Sequence, residues 1–363
     1  MKRIGIAVLL VVGLLGCSSS PAPSPSSASP AVSVKQAPAD MPSFSLAWSE
    51  YPSWSVFGVA DEKKLIDGRA GWIGPLEEKW GVDIVLKLAD YDACITLYGN
   101  NTSDAVCVTT LDALAPSLGR ASVVIAPTST SVGADACLST IKDLDGLKGK
   151  TTYGLEKSVS QFVFERCLEK KGLDPKDFPF KNMDPAAAAQ ALQQSQPGID
   201  AIMVWQPFVM QTERSREGVG RLFDSSVIPE EVVDSIVVGK DVLDKPGGDK
   251  FACAVLDAYY TVCRLMEDPT EGDETHIAIG KKFCNLGLDD MRAVCTQTSF
   301  RYNTPAKGQA LFNRIDFRDK ITPTVVEFCV SHGMCQTKPS VGWSQPDARL
   351  NFDSKYMQRV DSK

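Results

Sequence analysis

The sequence predicts an α/β fold with a largely parallel sheet, followed by a long helical tail. Three observations predict it. Short apolar runs typical of buried strands recur along the chain: VDIVLKL (82–88), AVCVT (105–109), ASVVIA (121–126) and DAIMVW (200–205). Between them lie segments with apolar residues at helical spacing, joined by short turns rich in Gly, Asn and Asp. Strands that alternate with helices in this way build parallel sheets. Beyond Asp244 strand signals become few and long helical patterns take over.

The first residues, MKRIGIAVLLVVGLLGCSSS, place Lys2 and Arg3 ahead of an apolar run (4–15) too short for a membrane span. The segment closes on Leu14-Leu15-Gly16-Cys17. This resembles a bacterial lipobox, with residues 1–16 a signal peptide and Cys17 the site of lipid attachment. Residues 17–43 are rich in Ser, Pro and Ala with almost no charge. They bury too little apolar surface to fold and are expected to form a tether. The expected location is the extracytoplasmic face of a membrane, held by lipid.

The chain has 363 residues, with 38 Lys and Arg against 45 Asp and Glu, a net charge of −7; loss of Lys2 and Arg3 with the signal peptide takes it to −9. An acidic chain without basic clusters is a poor nucleic-acid binder. Of eleven cysteines, ten remain once Cys17 is assigned to lipid. An even number in an exported protein suggests disulfides. Cys329 and Cys335 are near enough to staple a turn, and the helical region 253–295 has cysteines for its own pairs. No C-x-x-C occurs and only two histidines exist, so no metal is expected.

The mature fold opens at SLAWSEYPSWSVF (45–57). A strand pattern, Phe44-Leu46-Trp48, runs into Glu50, Tyr51 and Trp54 and then a helix. Rings and a carboxylate at a strand's carboxyl end stand where open α/β sheets bind ligands; Trp48 and Trp54 as core residues is the alternative. A helix, a loop around 68–74 and a second helix fill 61–80, closed by Gly81. Asp90-Tyr91-Asp92 opens a short helix, and Asp112 stands at the start of the next. Asp at such places is an ordinary cap contributing about 1 kcal/mol. Further on come a strand at 151–154, a helix at 161–171 begun by Ser158-Val159-Ser160, a short strand or turn at 181–184 and a helix at 185–194. The strand at 200–205 ends in Trp205-Gln206-Pro207, a helix follows at 208–216, and a strand at 235–238 recrosses.

IKDLDGLKGKTTYGLEKSVSQFVFERCLEKKGLD (141–174) resembles the periplasmic substrate-binding proteins of the nitrate/sulfonate/taurine class, the capture components of ABC importers. DAIMVWQP (200–207) matches the same class's D-A-x-x-x-W-x-P segment. WSEYPSW (48–54), DYDACITLY (90–98), TTLDAL (109–114), EKSVSQFVFERCLE (156–169) and LNFDSKYMQ (350–358) are most similar to binding proteins associated with urea-carboxylase-type gene clusters. The resemblance implies a two-lobe periplasmic binding protein (type II) that works with a permease and an ATPase and needs no cofactor. Lobe one would be 45–126 plus 240–363, with the helical C-terminal tail packed on it, and lobe two 133–234. Crossovers would fall at about 126–132 and 235–240, and hinge closure would bury a small ligand between the lobes.

On that fold, Trp48, Glu50, Tyr51, Trp54, Asp92, Asp112, Ser158, Ser160 and Trp205 are the expected ligand-binding residues. Asp90, Thr109 and Thr110 also stand at strand ends or helix starts that should face the cleft. Aromatic faces with carboxylates suit a small planar cation. From residue 45 to 112 the only arginine is Arg69, which argues against an anion. The expected ligand is small, nitrogen-rich and guanidine- or urea-like. A sulfonate, nitrate or a thiamine-pyrimidine precursor is the rival. Some proteins of the fold are enzymes, but with no histidine near the cleft and no catalytic pattern this chain reads as non-catalytic.

Overall fold

The computed structural model describes residues 34–298 and 302–361. The signal segment, Cys17 and the tether through residue 33 lie outside them. The chain enters through β1 (Lys35–Gln36) and β2 (Ser43–Trp48), then α1 (Pro52–Glu62). Next come β3 (Trp72–Ile73), α2 (Pro75–Trp80), β4 (Asp83–Leu88), α3 (Tyr91–Gly99), β5 (Ala105–Thr109), α4 (Leu114–Gly119) and β6 (Ser122–Thr130). A second run holds β7 (Asp135–Ser139), α5 (Leu144–Leu147), β8 (Thr152–Gly154), α6 (Val159–Lys170), β9 (Phe180–Asn182), α7 (Pro185–Gln193), β10 (Ala201–Trp205), α8 (Phe208–Ser215) and β11 (Gly220–Asp224). The chain returns through β12 (Val233–Gly239) and α9 (Lys240–Leu243). The tail is α10 (Gly248–Glu267), α11 (Gly272–Lys282), α12 (Leu288–Thr298), α13 (Pro305–Asn313), α14 (Thr322–Ser331), β13 (Val341–Trp343), β14 (Leu350–Phe352) and α15 (Lys355–Asp361).

Two main sheets result, ordered β13-β14-β6-β12-β5-β2-β4 and β11-β7-β10-β8-β9. Each is largely parallel, as expected, with a single reversed strand. β12 runs antiparallel to both neighbours in the first sheet, and β7 antiparallel to both in the second. These strands follow the two passages between sheets, so each enters its sheet from the side where the others end. The passages lie between β6 and β7 and between β11 and β12, so the second ends before β12 begins, rather than at the expected 235–240.

Local chemistry accounts for the elements that hold the first sheet. Pro52 occupies the first turn of α1, where its missing N–H costs nothing. The helix therefore starts well before Asp61, where the sequence pattern places it, and is buried on almost every face against the sheet, α10 and α11. At Gly58 a side chain would meet the Trp48 ring at 2.7 Å, so only glycine lets helix and strand approach this closely. Glu77 is fully buried in α2 and its carboxylate accepts from the backbone N–H groups of Asp67, Gly74 and Ile84, each at 2.7 Å. That one side chain stitches a loop, a helix start and a strand together. Burial pushes it up to about 7 despite those donors.

Three expectations change. Within the segment expected to be tether through Ser43, Lys35–Gln36 pairs antiparallel to Trp72–Ile73. The tail supplies two strands, with β13 parallel to β14 and β14 parallel to β6 at the sheet edge, while its helix α10 packs on α1, α2 and β4. No disulfide links cysteines among the described residues; most are buried thiols, and only Cys284 is exposed. Cys329 and Cys335 are neighbours but not bonded. No helix of the described residues is long and apolar enough to cross a membrane.

Candidate ligand cleft

The strands aim their ends at one cavity of about 740 Å³ between the two sheets. Ser49–Tyr51 follow β2, Leu88 ends β4 with Ala89 and Asp90 after it, Thr109 ends β5 and Trp205 ends β10. Ser131 follows β6, Asp135 begins β7 and Asp234 lies at the start of β12, so the reversed strands point their amino ends at the same space. The second lobe adds Leu155–Val159 at the start of α6, and the tail adds Phe283 and Cys284 after α11. This is the crevice where α/β sheets bind ligands.

Of the expected site residues, Glu50, Tyr51, Trp54, Asp92, Asp112, Ser158 and Trp205 line the cavity. Trp48 does not. Its ring is buried against Gly58 inside the sheet, because Leu46 and Trp48 alternate to the covered face. Ser160 does not either; it is fully buried within α6. Ser158 caps α6, accepting from the Ser160 N–H at 3.1 Å, and also faces the cavity. Asp90 makes no side-chain cap bond, and Asp112 stands one residue before the cap position. The Asp112 carboxylate instead accepts from the Tyr91 hydroxyl at 2.7 Å and from Thr109 Oγ1 at 2.8 Å. Asp90 and Thr109 line the cavity; Thr110 does not.

The walls are aromatic. Trp54 stacks on Tyr91, with ring centroids 5.5 Å apart and 7° between planes, and Tyr51 packs against both Trp54 and Phe283. Across the cleft Trp205 meets Phe208 edge-on at 6.4 Å.

The floor is acidic. Asp135 and Asp234 are buried, and among the described residues none of Asp112, Asp135 and Asp234 is paired with a lysine, arginine or histidine. Ser131 donates to Asp135 at 2.5 Å and Ser129 donates to Asp234. Burial raises the Asp135 carboxyl to about 6 against the Ser131 hydrogen bond, with Asp224 adding to the rise. It raises Asp234 to about 7 against Ser129, with Asp135 and Asp112 adding. Asp112 is raised by burial and by Asp92, against its two hydroxyl donors. Glu50, Asp90, Asp92 and Glu156 line the rim, and Lys157 is the one basic side chain that lines the cavity among the described residues. Lys157 and Cys284 both hold a left-handed backbone, with φ of 52° and 58°. Non-glycine residues in that region are held there by their surroundings and gather at ligand sites.

Sequence reasoning missed Asp135, Asp234, Phe208, Phe283 and Cys284. Asp135 begins a strand that is not among those expected from sequence, and Asp234 stands just before the strand expected at 235–238. Phe283 and Cys284 belong to a helical tail with no local sign of a site.

The chain's fold is similar to that of solved periplasmic binding proteins. With the periplasmic aliphatic sulphonate binding protein SsuA from Escherichia coli it shares 16% identity over 82% of this chain and 89% of that one, with a TM-score of 0.63. With the putative sulfonate-binding SsuA from Methylobacillus flagellatus KT the figures are 15%, 89%, 94% and 0.65. With the alkanesulfonate-binding protein SsuA from Xanthomonas axonopodis pv. citri, bound to MOPS, they are 13%, 84%, 96% and 0.59. The architecture is that of a two-lobe periplasmic binding protein. No protein-family model and no curated protein matches the sequence.

Proposed function

We propose that this chain is the solute-binding component of an ABC importer and captures a small organic cation with a guanidine-like head between its lobes. One observation carries the ligand class: seven carboxylates and a single lysine line the cleft. A cation there gains charge-assisted hydrogen bonds from Asp112, Asp135 and Asp234 and the faces of Trp54 and Trp205. A sulfonate or nitrate would meet those carboxylates with only Lys157 and the amino end of α6 to hold it. A neutral urea would leave the floor charges uncompensated. The neighbours named as sulfonate binders thus share the fold, while the charge of this cleft suits a ligand of the opposite sign. With no histidine among its lining residues the cleft is read as a binding site and not a catalytic one.

The chain is further proposed to be a lipoprotein held by Cys17 on the extracytoplasmic face of a membrane, serving a permease and an ATPase. The segments at 48–54 and 90–98 support placing it near the urea-carboxylase-associated binding proteins. The test is a melting panel of guanidinium, methylguanidinium and urea against taurine, nitrate and a pyrimidine precursor. A ligand at 100 times its Kd stabilises by about 2.7 kcal/mol. Stabilisation by the guanidinium compounds is expected, and a response to taurine or nitrate alone overturns the reading.

A further inference from the structure

We propose that the cleft is built for an organic dication, two cationic nitrogen centres joined by an apolar spacer. This rests on the cation reading above and narrows it. Three separate elements deliver the floor carboxylates: Asp112 follows β5, Asp135 begins β7 and Asp234 stands on β12. Hydroxyl groups hold each by one oxygen only. Tyr91 and Thr109 donate to Oδ2 of Asp112, Ser131 to Oδ2 of Asp135 and Ser129 to Oδ2 of Asp234. The Oδ1 atom of each takes no hydrogen bond from the described residues, and none of the three is among the atoms sealed from solvent without a partner. Three acceptors therefore stay open to the same cavity.

A monocation neutralises one of these carboxylates. The others stay buried and repel one another, since Asp234 senses both Asp135 and Asp112. Uncompensated buried charge is costly, and a second positive centre removes much of that cost. The walls fit the spacer. The stacked Trp54–Tyr91 pair stands on one lobe and Trp205 with Phe208 on the other. A cavity of 740 Å³ also falls within the range of about 300–1,000 Å³ that encloses drug-sized ligands. A lone guanidinium would leave most of it to water.

The experiment is calorimetric titration of the purified protein at pH 8 with agmatine and with butylguanidinium, which keeps agmatine's four-carbon chain and guanidinium but lacks its ammonium. Taurine is the anionic control. Agmatine is expected to bind at least about tenfold more tightly, and Asp135→Asn with Asp234→Asn is expected to shrink that ratio. Equal affinities in the unmutated protein overturn the dication while leaving the cation reading intact. Binding of taurine but of neither guanidinium compound overturns the cation reading and this one with it. A full agmatine preference in a folded double variant overturns the assignment to Asp135 and Asp234. The comparison of ligands on the unmutated protein does not depend on the variant folding.

Discussion

Replacing Asp234 with Asn exposes the cost of the acidic floor. In the unfolded chain the carboxyl titrates near 3.8, and in the fold burial, Asp135 and Asp112 raise it to about 7 against the Ser129 hydrogen bond. An acid raised on folding holds its proton more tightly in the native state. Its ionisation therefore costs no stability well below pH 4 and removes stability progressively as pH climbs through about 7. At 1.36 kcal/mol per unit, the part of this cost incurred between pH 5 and 7 is about 3 kcal/mol. Asn does not ionise and keeps an oxygen to accept from Ser129. Urea unfolding of the ligand-free protein at pH 5 and pH 8 measures it. The stability of Asp234→Asn relative to the unmutated protein is expected to improve by about 3 kcal/mol from the lower pH to the higher. A difference independent of pH, or one that moves the other way, refutes the reasoning.

Cation affinity is expected to rise from pH 5.5 to 8 and level off above the 7 or so of Asp234, because binding favours the ionised forms of Asp135 and Asp234. Calorimetry in buffers of different ionisation enthalpy reads the accompanying proton release, and a fall in affinity contradicts it. Glu77→Ala leaves the N–H groups of Asp67, Gly74 and Ile84 without their acceptor, at about 1–3 kcal/mol each, and is expected to cost at least about 3 kcal/mol in urea unfolding. A loss below about 1 kcal/mol would show that water replaces the carboxylate. Cys284, exposed on the cleft rim, is expected to alkylate first with iodoacetamide and more slowly under saturating ligand. Peptide mapping by mass spectrometry checks both, and an unchanged rate removes Cys284 from the binding cleft.

Local patterns in the chain suffice for the α/β class, most of the helices, the long strands and the aromatic-acidic character of the site. Periodicity reports which face is buried, and strand ends report where rings and charges gather, so Glu50, Tyr51, Trp54, Asp112 and Trp205 were legible at the cleft.

What depends on residues remote in the chain emerged only on folding. β7, β11, β13 and β14 draw their stability from neighbouring strands and are not among the strands expected from sequence. With β7 unread, Asp135 had no strand to place it opposite Asp234. Trp48 and Trp54 look alike in sequence, yet the covering helix α1 seals one and leaves the other on the cleft. An even count of cysteines suggested disulfides; among the described residues none is bonded, although Cys94 lies near Cys107, Cys137 near Cys167, Cys263 near Cys295 and Cys329 near Cys335. Local spacing sets what each residue can do, whereas only the folded chain sets which charges meet without a partner.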